Sequence, residues 1–554
     1  MLRPAYFIAF SGHRPKNEPG RNESDLTACV PRLRQALEAL RARAELAGGE
    51  IHLITSLAAG SDIIACETAI QLGIPVHLVL SKPEPAFLET YHYDDPAKNL
   101  DHWIPRARAI LATIRSDPDF PEIPINPRHT LRNGATSTTS PECYAEANTR
   151  LLDPADLLLT VSTGAPSKSI AGTTHLIGQA EAIGIPTLNL NPVDSPDTPI
   201  PPIPEGFANP HSESLTPFTS TVPHITCDLT NTQSPFADLA LCLSAAAGQS
   251  ARWFRKASAV SITCHLIATI LAAAVAAFYY YLKSGKFPGI DANTPALFWL
   301  LAIFALIELI LVGAGWWLER RLHKDKAQQT WLHCRFAREI MRSLEKSNPF
   351  LDPLYLEIQR HQPIWKRFTI TTGLMLRAEK PIPAYPSPNE IISWRDDYLK
   401  GRVEDQETFF HRESKGAKVP NHLFHLLTHW SGIAAVWIVA AAFLVKLSDL
   451  ALILLFEKPA FSTPYYLASA FFLLFLPILM PLLASIGASF DAVFDYGRRS
   501  TRFGQVAQGL TKTAKILPTL ETLPDIAAAV HQTEETLLAE LIEWFAAQKE
   551  GLGH

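Results

Sequence analysis

Three small-residue turns in the first 180 residues combine hydrogen-bonding groups with one permanent cation. They are Ser11-Gly12-His13-Arg14, Ala59-Gly60-Ser61-Asp62, and a third split into Thr163-Gly164 and Gly172-Thr173-Thr174. Turns without bulky side chains let backbone N–H groups and helix N-termini approach a phosphate. The Arg14 guanidinium adds a charge suited to the same oxygens. The chemistry expected is recognition of a phosphate-bearing ligand. Glycine also suits tight strand-to-helix turns for backbone reasons alone, and serine and threonine serve as helix caps. A purely structural domain is therefore the alternative reading.

These turns need strands and helices to hold them. Residues 5–10 form a short apolar run of strand type, and 25–46 alternate leucine and arginine at helical spacing. A second strand is expected at 51–55, then a helix to 72, a Gly73-Ile74-Pro75 stop, and a third strand at 76–80. After a less regular stretch the rhythm returns with a strand at 157–161, a helix at 175–183, Gly184-Ile185-Pro186 and a strand at 187–190. Strand, small turn, helix and strand in this order predict a parallel α/β sheet of Rossmann-like type. Ligands of such sheets bind outside the carboxyl ends of the strands, where the turns lie.

The second half of the 554-residue chain is different. Residues 259–282 contain no Asp, Glu, Lys or Arg, and 295–318 are interrupted only by Glu308. Residues 423–445 and 464–490 are two more apolar runs. Each is long enough at about 1.5 Å per residue to cross a hydrocarbon core of about 30 Å. The expectation is an all-α membrane region of four transmembrane helices in two pairs, with Pro477 and Pro481 bending the fourth. Arg252, Arg255 and Lys256 precede the first run, Arg320, Arg321, Lys324 and Lys326 follow the second, and Arg498, Arg499 and Arg502 follow the fourth. Positive-inside reasoning places both termini in the cytosol of a multi-pass inner-membrane protein. Glu308 and His265 are polar groups within this region, suited either to a pore or gate or to hydrogen bonding inside a bundle. His422, His425 and His429 share a helical face, but no fourth ligand is evident, so interfacial histidines are expected and no metal.

A net charge of −5, with no dense Lys/Arg tract, argues against nucleic acid as a partner. Seven cysteines without a CxxC pair point to reduced thiols, and no cofactor is expected. Residues 191–235 hold ten prolines and read as a semi-stiff tether. The expected division is a ligand-binding domain at 1–192, a Pro-rich linker at 193–235 and a two-span module with a trailing helix at 236–345. A cytosolic connector at 346–388 and a second two-span module at 389–550 complete it.

The first domain resembles the SLOG superfamily, the Rossmann-like group that includes the cytokinin-activating LOG enzymes and the DNA-processing protein A fold. The resemblance rests on Phe10-Ser11-Gly12-His13-Arg14, on the stretch from Ser56 through Gly60-Ser61-Asp62 to Gly73-Ile74-Pro75, and on Ala171-Gly172-Thr173-Thr174 through Gly184-Ile185-Pro186. LOG enzymes cleave the base from a nucleoside monophosphate with a glutamate three residues after the Gly-Thr of their motif. Here that position is Leu176, and the nearby acids are Glu181 and, on the second helix, Glu67. The resemblance therefore implies a binding domain more than an N-glycosidase. The C-terminal part is similar to SLATT modules, two-span units found with SLOG domains in bacterial conflict systems. Trp394, Tyr398, Leu399, Arg402, Val403, Gln406 and Phe410 resemble the opening helix, and a tail with Glu534, Glu535, Glu540, Glu543 and Trp544 follows. Trp331, Arg335, Phe336, Glu339 and Arg342 resemble a diverged first copy.

Together these imply a sensor–effector. A nucleotide or nucleotide-derived ligand would bind the cytosolic domain, drive homo-oligomer assembly, and control helices that open or perturb the lipid bilayer. A membrane-anchored LOG-like nucleotide N-glycosidase and a regulated channel or transporter are the alternatives.

Overall fold

The computed structural model describes residues 4–93, 99–115, 130–133, 140–165, 172–208, 234–283, 295–350, 358, 363–380, 382, 386–456 and 475–550. The chain divides into two compact units, one of residues 1–246, 332–404 and 512–554, the other of 247–331 and 405–511.

The first unit is built on a six-stranded sheet, parallel throughout, in the order β4-β3-β2-β1-β5-β6. The strands are β1 (Ala5–Gly12), β2 (Glu50–Thr55), β3 (Val76–Leu80), β4 (Thr130–Asn133), β5 (Ala155–Val161) and β6 (Thr187–Leu190). Between them run α1 (Glu23–Ala28), α2 (Val30–Leu46), α3 (Ser61–Gln71), α4 (Glu84–Leu88), α5 (Ile104–Arg115), α6 (Ser140–Leu152) and α7 (Thr173–Ala182). The expected Rossmann-like sheet is present, with β4 added at the edge. Side chains alternate between the two faces of a strand, and β1 shows the division. Tyr6, Ile8 and Phe10 join the core that includes Leu33 and Leu37 of α2 and Ile63 of α3. Ala5, Phe7 and Ala9 join the opposite core with Ala147 and Leu151 of α6 and Leu176 of α7.

That second core holds an element far away in sequence. Ile370 and Leu374 belong to α11 (Pro363–Glu379), which lies within the stretch expected to be a connector. Buried Asp156 at the start of β5 fixes this helix. Arg367 pairs with Asp156 and donates to the Ala5 carbonyl at 3.2 Å. Lys366 lies 3.5 Å from the same carboxylate and donates to the Ala155 carbonyl at 2.8 Å. The Phe7 N–H donates to Asp156 at 2.8 Å. The α/β core thus extends beyond residue 192.

The expected linker also begins later than the proline count suggests. Arg32, buried, donates to the carbonyls of Asn191 (2.8 Å) and Thr198 (3.1 Å) and pairs with Asp194 at 3.1 Å. Phe207 is buried edge-on to Tyr6, with ring centroids 5.8 Å apart. Prolines stiffen a segment whether or not it is anchored, so composition alone could not show the buried arginine that ties down 191–200. Residues 209–233 lie outside the described residues.

The remaining helices are α8 (Pro235–Lys283), α9 (Pro295–Lys324), α10 (Ala327–Ser347), α12 (Pro388–Tyr398), α13 (Asp405–Phe456), α14 (Leu476–Phe494), α15 (Tyr496–Ile516) and α16 (Leu523–Glu550). A π-helical turn, Leu399–Glu404, joins α12 to α13. Within the first unit, Arg402 of that turn forks onto buried Glu534 of α16 with two bonds of 3.0 Å, and Tyr398 donates to Glu534 at 2.9 Å. Glu339 of α10 lies 3.4 Å from Arg402, and Ser343 donates to Glu534 at 2.6 Å. Residues singled out in the opening, trailing and tail helices thereby meet in one buried network.

Among the described residues, two helices are long and apolar enough to cross a membrane, over Pro235–Phe278 and Ala302–Lys324. The bent pair α14–α15 makes a third if counted as one span. The expectation of four spans is thus met in part among the described residues. The run at 423–445 falls in α13, parts of whose C-terminal half are described only as backbone, and 464–474 lie outside the described residues. The bend described near the fourth run is 42° and falls at Asp495, whose φ of 55° is left-handed. Pro477 sits in the first turn of α14 and Pro481 inside it. Cys29, Cys66, Cys143, Cys264 and Cys334 are free, whereas Cys242 is disulfide-bonded, contrary to the expectation of reduced thiols throughout.

Candidate functional site

The strand order places β1 between β2 and β5, so the chain winds outwards in both directions from the β1–β5 junction. The carboxyl ends of two such strands leave a crevice, because the connections that follow them run to opposite faces. Ser11-Gly12-His13-Arg14 leaves β1 there, Thr163-Gly164 leaves β5, and Gly172-Thr173-Thr174 opens α7. The sequence-predicted turns therefore converge on one edge.

Side-chain bonds tie these loops together. Thr173 Oγ1 donates to the Gly12 carbonyl at 3.2 Å and lies 3.1 Å from Ser11 Oγ. His13 Nε2 accepts from the Thr163 backbone N–H at 3.0 Å, and the Thr163 hydroxyl lies 3.2 Å from the same nitrogen. An accepting Nε2 requires a neutral imidazole with its proton on Nδ1. Burial, and then the nearby Arg21 and Lys16 charges, lower the His13 pKa to about 4, which keeps it neutral at pH 7. His13 is thus a latch between the β1 and β5 loops.

The second turn has a supporting role. Both Asp62 oxygens are occupied: Oδ1 accepts from the Gly12 N–H at 3.1 Å, and Oδ2 accepts from the Ala58 N–H at 3.1 Å and the Ser56 hydroxyl at 3.0 Å. Burial raises the Asp62 carboxyl above its ordinary value, against the pull of those donors. The Ser61 hydroxyl donates to the His13 carbonyl at 3.0 Å. A Cβ on Gly12 would fall 2.2 Å from Ser61 Cβ, so only glycine lets β1 end against the start of α3. Gly60 has φ of 97°, and a Cβ there would meet Pro15 at 2.6 Å. Ala59 is buried beside it. Ala59, Gly60, Ser61 and Asp62 therefore brace the β1 loop from behind.

Three groups stand apart from this bracing. Gly164, at φ of 75°, has open space where a Cβ would project. Gly172 caps α7 without a side-chain bond to the helix, so among the described residues no side-chain cap occupies the first-turn backbone donors. Arg14 is half-exposed and donates to Tyr93 OH at 3.4 Å. Thr174 is turned to the Ala165 carbonyl at 2.8 Å. Sequence reasoning missed Tyr93, and also Tyr91, whose buried hydroxyl bonds the Leu57 carbonyl where that residue holds φ of 58°. Neither tyrosine sits in a motif with meaningful spacing. Ile170 and Ala171 lie outside the described residues.

The other singled-out residues lie elsewhere. Leu176 is fully buried in the sheet core. Glu67 forks onto Arg106 of α5 at 2.8 and 2.5 Å. In the second unit His265 lies 3.5 Å from Glu319, and the Ser261 hydroxyl donates to that carboxylate at 2.9 Å. Glu308 is half-buried and has no hydrogen-bond or ion-pair partner among the described residues. His425 and His429 stack with ring centroids 6.0 Å apart. Among the described residues no group of three His, Cys, Asp or Glu side chains is placed to hold a metal ion. No family model, curated protein or solved structure matches the chain.

Proposed function

We propose that the protein is a membrane-bound sensor–effector whose α/β sheet recognises a phosphate-bearing nucleotide or nucleotide-derived ligand. The observation that carries this reading is the open Gly164 turn and the α7 N-terminus at the β1–β5 switch point, with Arg14 on the adjoining β1 loop, where it reaches towards Tyr93. Backbone donors and a guanidinium at such a crevice suit phosphate oxygens. The resemblance to SLOG domains supports the nucleotide class, and the resemblance to SLATT modules supports a pore-forming or membrane-perturbing output from four spans in two pairs, with both termini cytosolic.

Signal transfer follows a connected route within the first unit. β5 carries the crevice at one end and Asp156 at the other, and Asp156 holds α11. At its far end α11 presents Glu379, which accepts from the N–H of Phe236 in the first turn of α8. α8 then continues without interruption through the apolar run 259–282. Ligand-driven self-association of the sheet domains is the assembly step.

The N-glycosidase alternative is disfavoured because Leu176 occupies the catalytic position inside the hydrophobic core. A regulated channel is the second reading, favoured by Glu308 in α9, which has no partner among the described residues. Binding of a panel of linear and cyclic nucleotides to the full-length protein in detergent tests the proposal. Saturable binding of one member, weakened about tenfold by Arg14→Ala, is expected from loss of one charge-assisted bond. Absence of binding by folded protein to every member sinks it.

A further inference from the structure

One end of the α8–α9 pair carries a band of indoles and guanidinium groups. In α9, Trp316 and Trp317 stand one turn before Arg320 and Arg321. Each guanidinium lies over the indole four residues back, 5.2 and 5.3 Å from the ring centroid. The two helices run antiparallel, since Trp253 meets Arg321 at 5.8 Å while His265, further along α8, meets Gly315 and Glu319. The indoles of both helices therefore reach the same level.

These rings are not core residues. Trp316 and Trp317 are 55% and 52% exposed. The cations beside them exceed the nearby acids: Arg252, Lys256, Arg320 and Lys324 pair with no carboxylate among the described residues. Glu319 is engaged by Ser261 and His265, and Asp325 lies 3.6 Å from Arg321. Along α9 the order is an apolar run, two indoles, two guanidiniums, then lysine.

We propose that this collar binds the phosphodiester headgroups of anionic phospholipids. The inference rests on reading α8 and α9 as membrane spans. The order along α9 is the order of depth in a leaflet: hydrocarbon, then headgroup level, where indoles are favoured, then the charged surface. Guanidinium groups grip phosphate oxygens through paired N–H donors. Cations without carboxylate partners complement a headgroup of net negative charge, whereas a zwitterionic headgroup brings its own ammonium. Stacking on the indoles holds Arg320 and Arg321 in place before lipid arrives.

The full-length protein, reconstituted in vesicles of phosphatidylcholine mixed with phosphatidylglycerol, tests this. Tryptophan quenching by brominated phosphatidylglycerol, compared with brominated phosphatidylcholine, gives the headgroup preference. Wild-type protein is expected to prefer phosphatidylglycerol, and Arg320→Gln with Arg321→Gln to weaken that preference by about fivefold per cation removed. Removing the same charge at Arg34 and Arg108, half-exposed and exposed in the α/β domain, is expected to leave it intact. Retention of the protein after an alkaline carbonate wash, with equal quenching by both lipids or a preference untouched at Arg320 and Arg321, overturns the collar alone. Release by the wash overturns the span reading and the collar with it.

Discussion

The two ends of the β1–β5 strand pair are held by different chemistry. At the carboxyl end, neutral groups close the loops: His13 on the Thr163 N–H, Thr173 on the Gly12 carbonyl, and Ser61 on the His13 carbonyl, while Asp62 accepts from N–H and hydroxyl groups. Bonds of this kind each contribute about 1 kcal/mol net and exchange readily with water or ligand. At the amino end, Lys366 and Arg367 share the buried Asp156 carboxylate. Separating those ions without solvent is far more costly. The carboxyl end is thus adjustable, and the end joined to α11 is fixed.

The comparison breaks most visibly at the fixed end. Asp156→Asn is expected to destabilise the first unit by about 3–5 kcal/mol, read from urea denaturation, because two buried cations lose their counter-ion. The triple replacement Asp156→Leu, Lys366→Met and Arg367→Met should recover most of that loss, which separates the net worth of the cluster from the penalty for breaking it. At the adjustable end, Gly12→Ala is expected to cost about 1–3 kcal/mol, since its Cβ collides with Ser61. A smaller effect comes from acid. The folded pKa of His13 is lowered from 6.5 to about 4, so the unfolded chain binds its proton first and stability falls as pH drops through that window. The loss is about 1 kcal/mol one unit below 6.5, and His13→Gln should remove that component from the pH profile of thermal unfolding. Tyr93→Phe sharpens the contrast from below. Its bond from Arg14 is long and exposed, so stability should change by less than about 0.5 kcal/mol.

Much of the sheet was legible because its strands are continuous apolar runs, each followed by a small turn. Residues 5–10, 51–55, 76–80, 157–161 and 187–190 all lie in strands. β4 escaped because Thr-Leu-Arg-Asn carries only one apolar residue and no periodicity to detect. The turns were found as a set, but spacing could not divide their roles. Asp62 looked like part of a cradle, yet its oxygens are consumed by Gly12, Ala58 and Ser56. Such a distinction depends on which donors converge on one carboxylate, and that is a property of tertiary contact. α11 was missed for the same reason. Pro363–Glu379 reads as an ordinary mixed helix, and only the fold reveals that its Lys366-Arg367 pair answers an aspartate 211 positions earlier.

That separation has a consequence for synthesis on the ribosome. The last strand of the sheet is complete at Leu190, but the helix that fills its second core ends at Glu379. At roughly 5–20 residues per second, the nascent sheet waits on the order of 10–40 s with Asp156 unmatched and the face beneath α11 uncovered. During that interval the apolar stretches of α8 and α9 emerge. The α/β domain therefore cannot be completed until the apolar stretches of α8 and α9 have been synthesised.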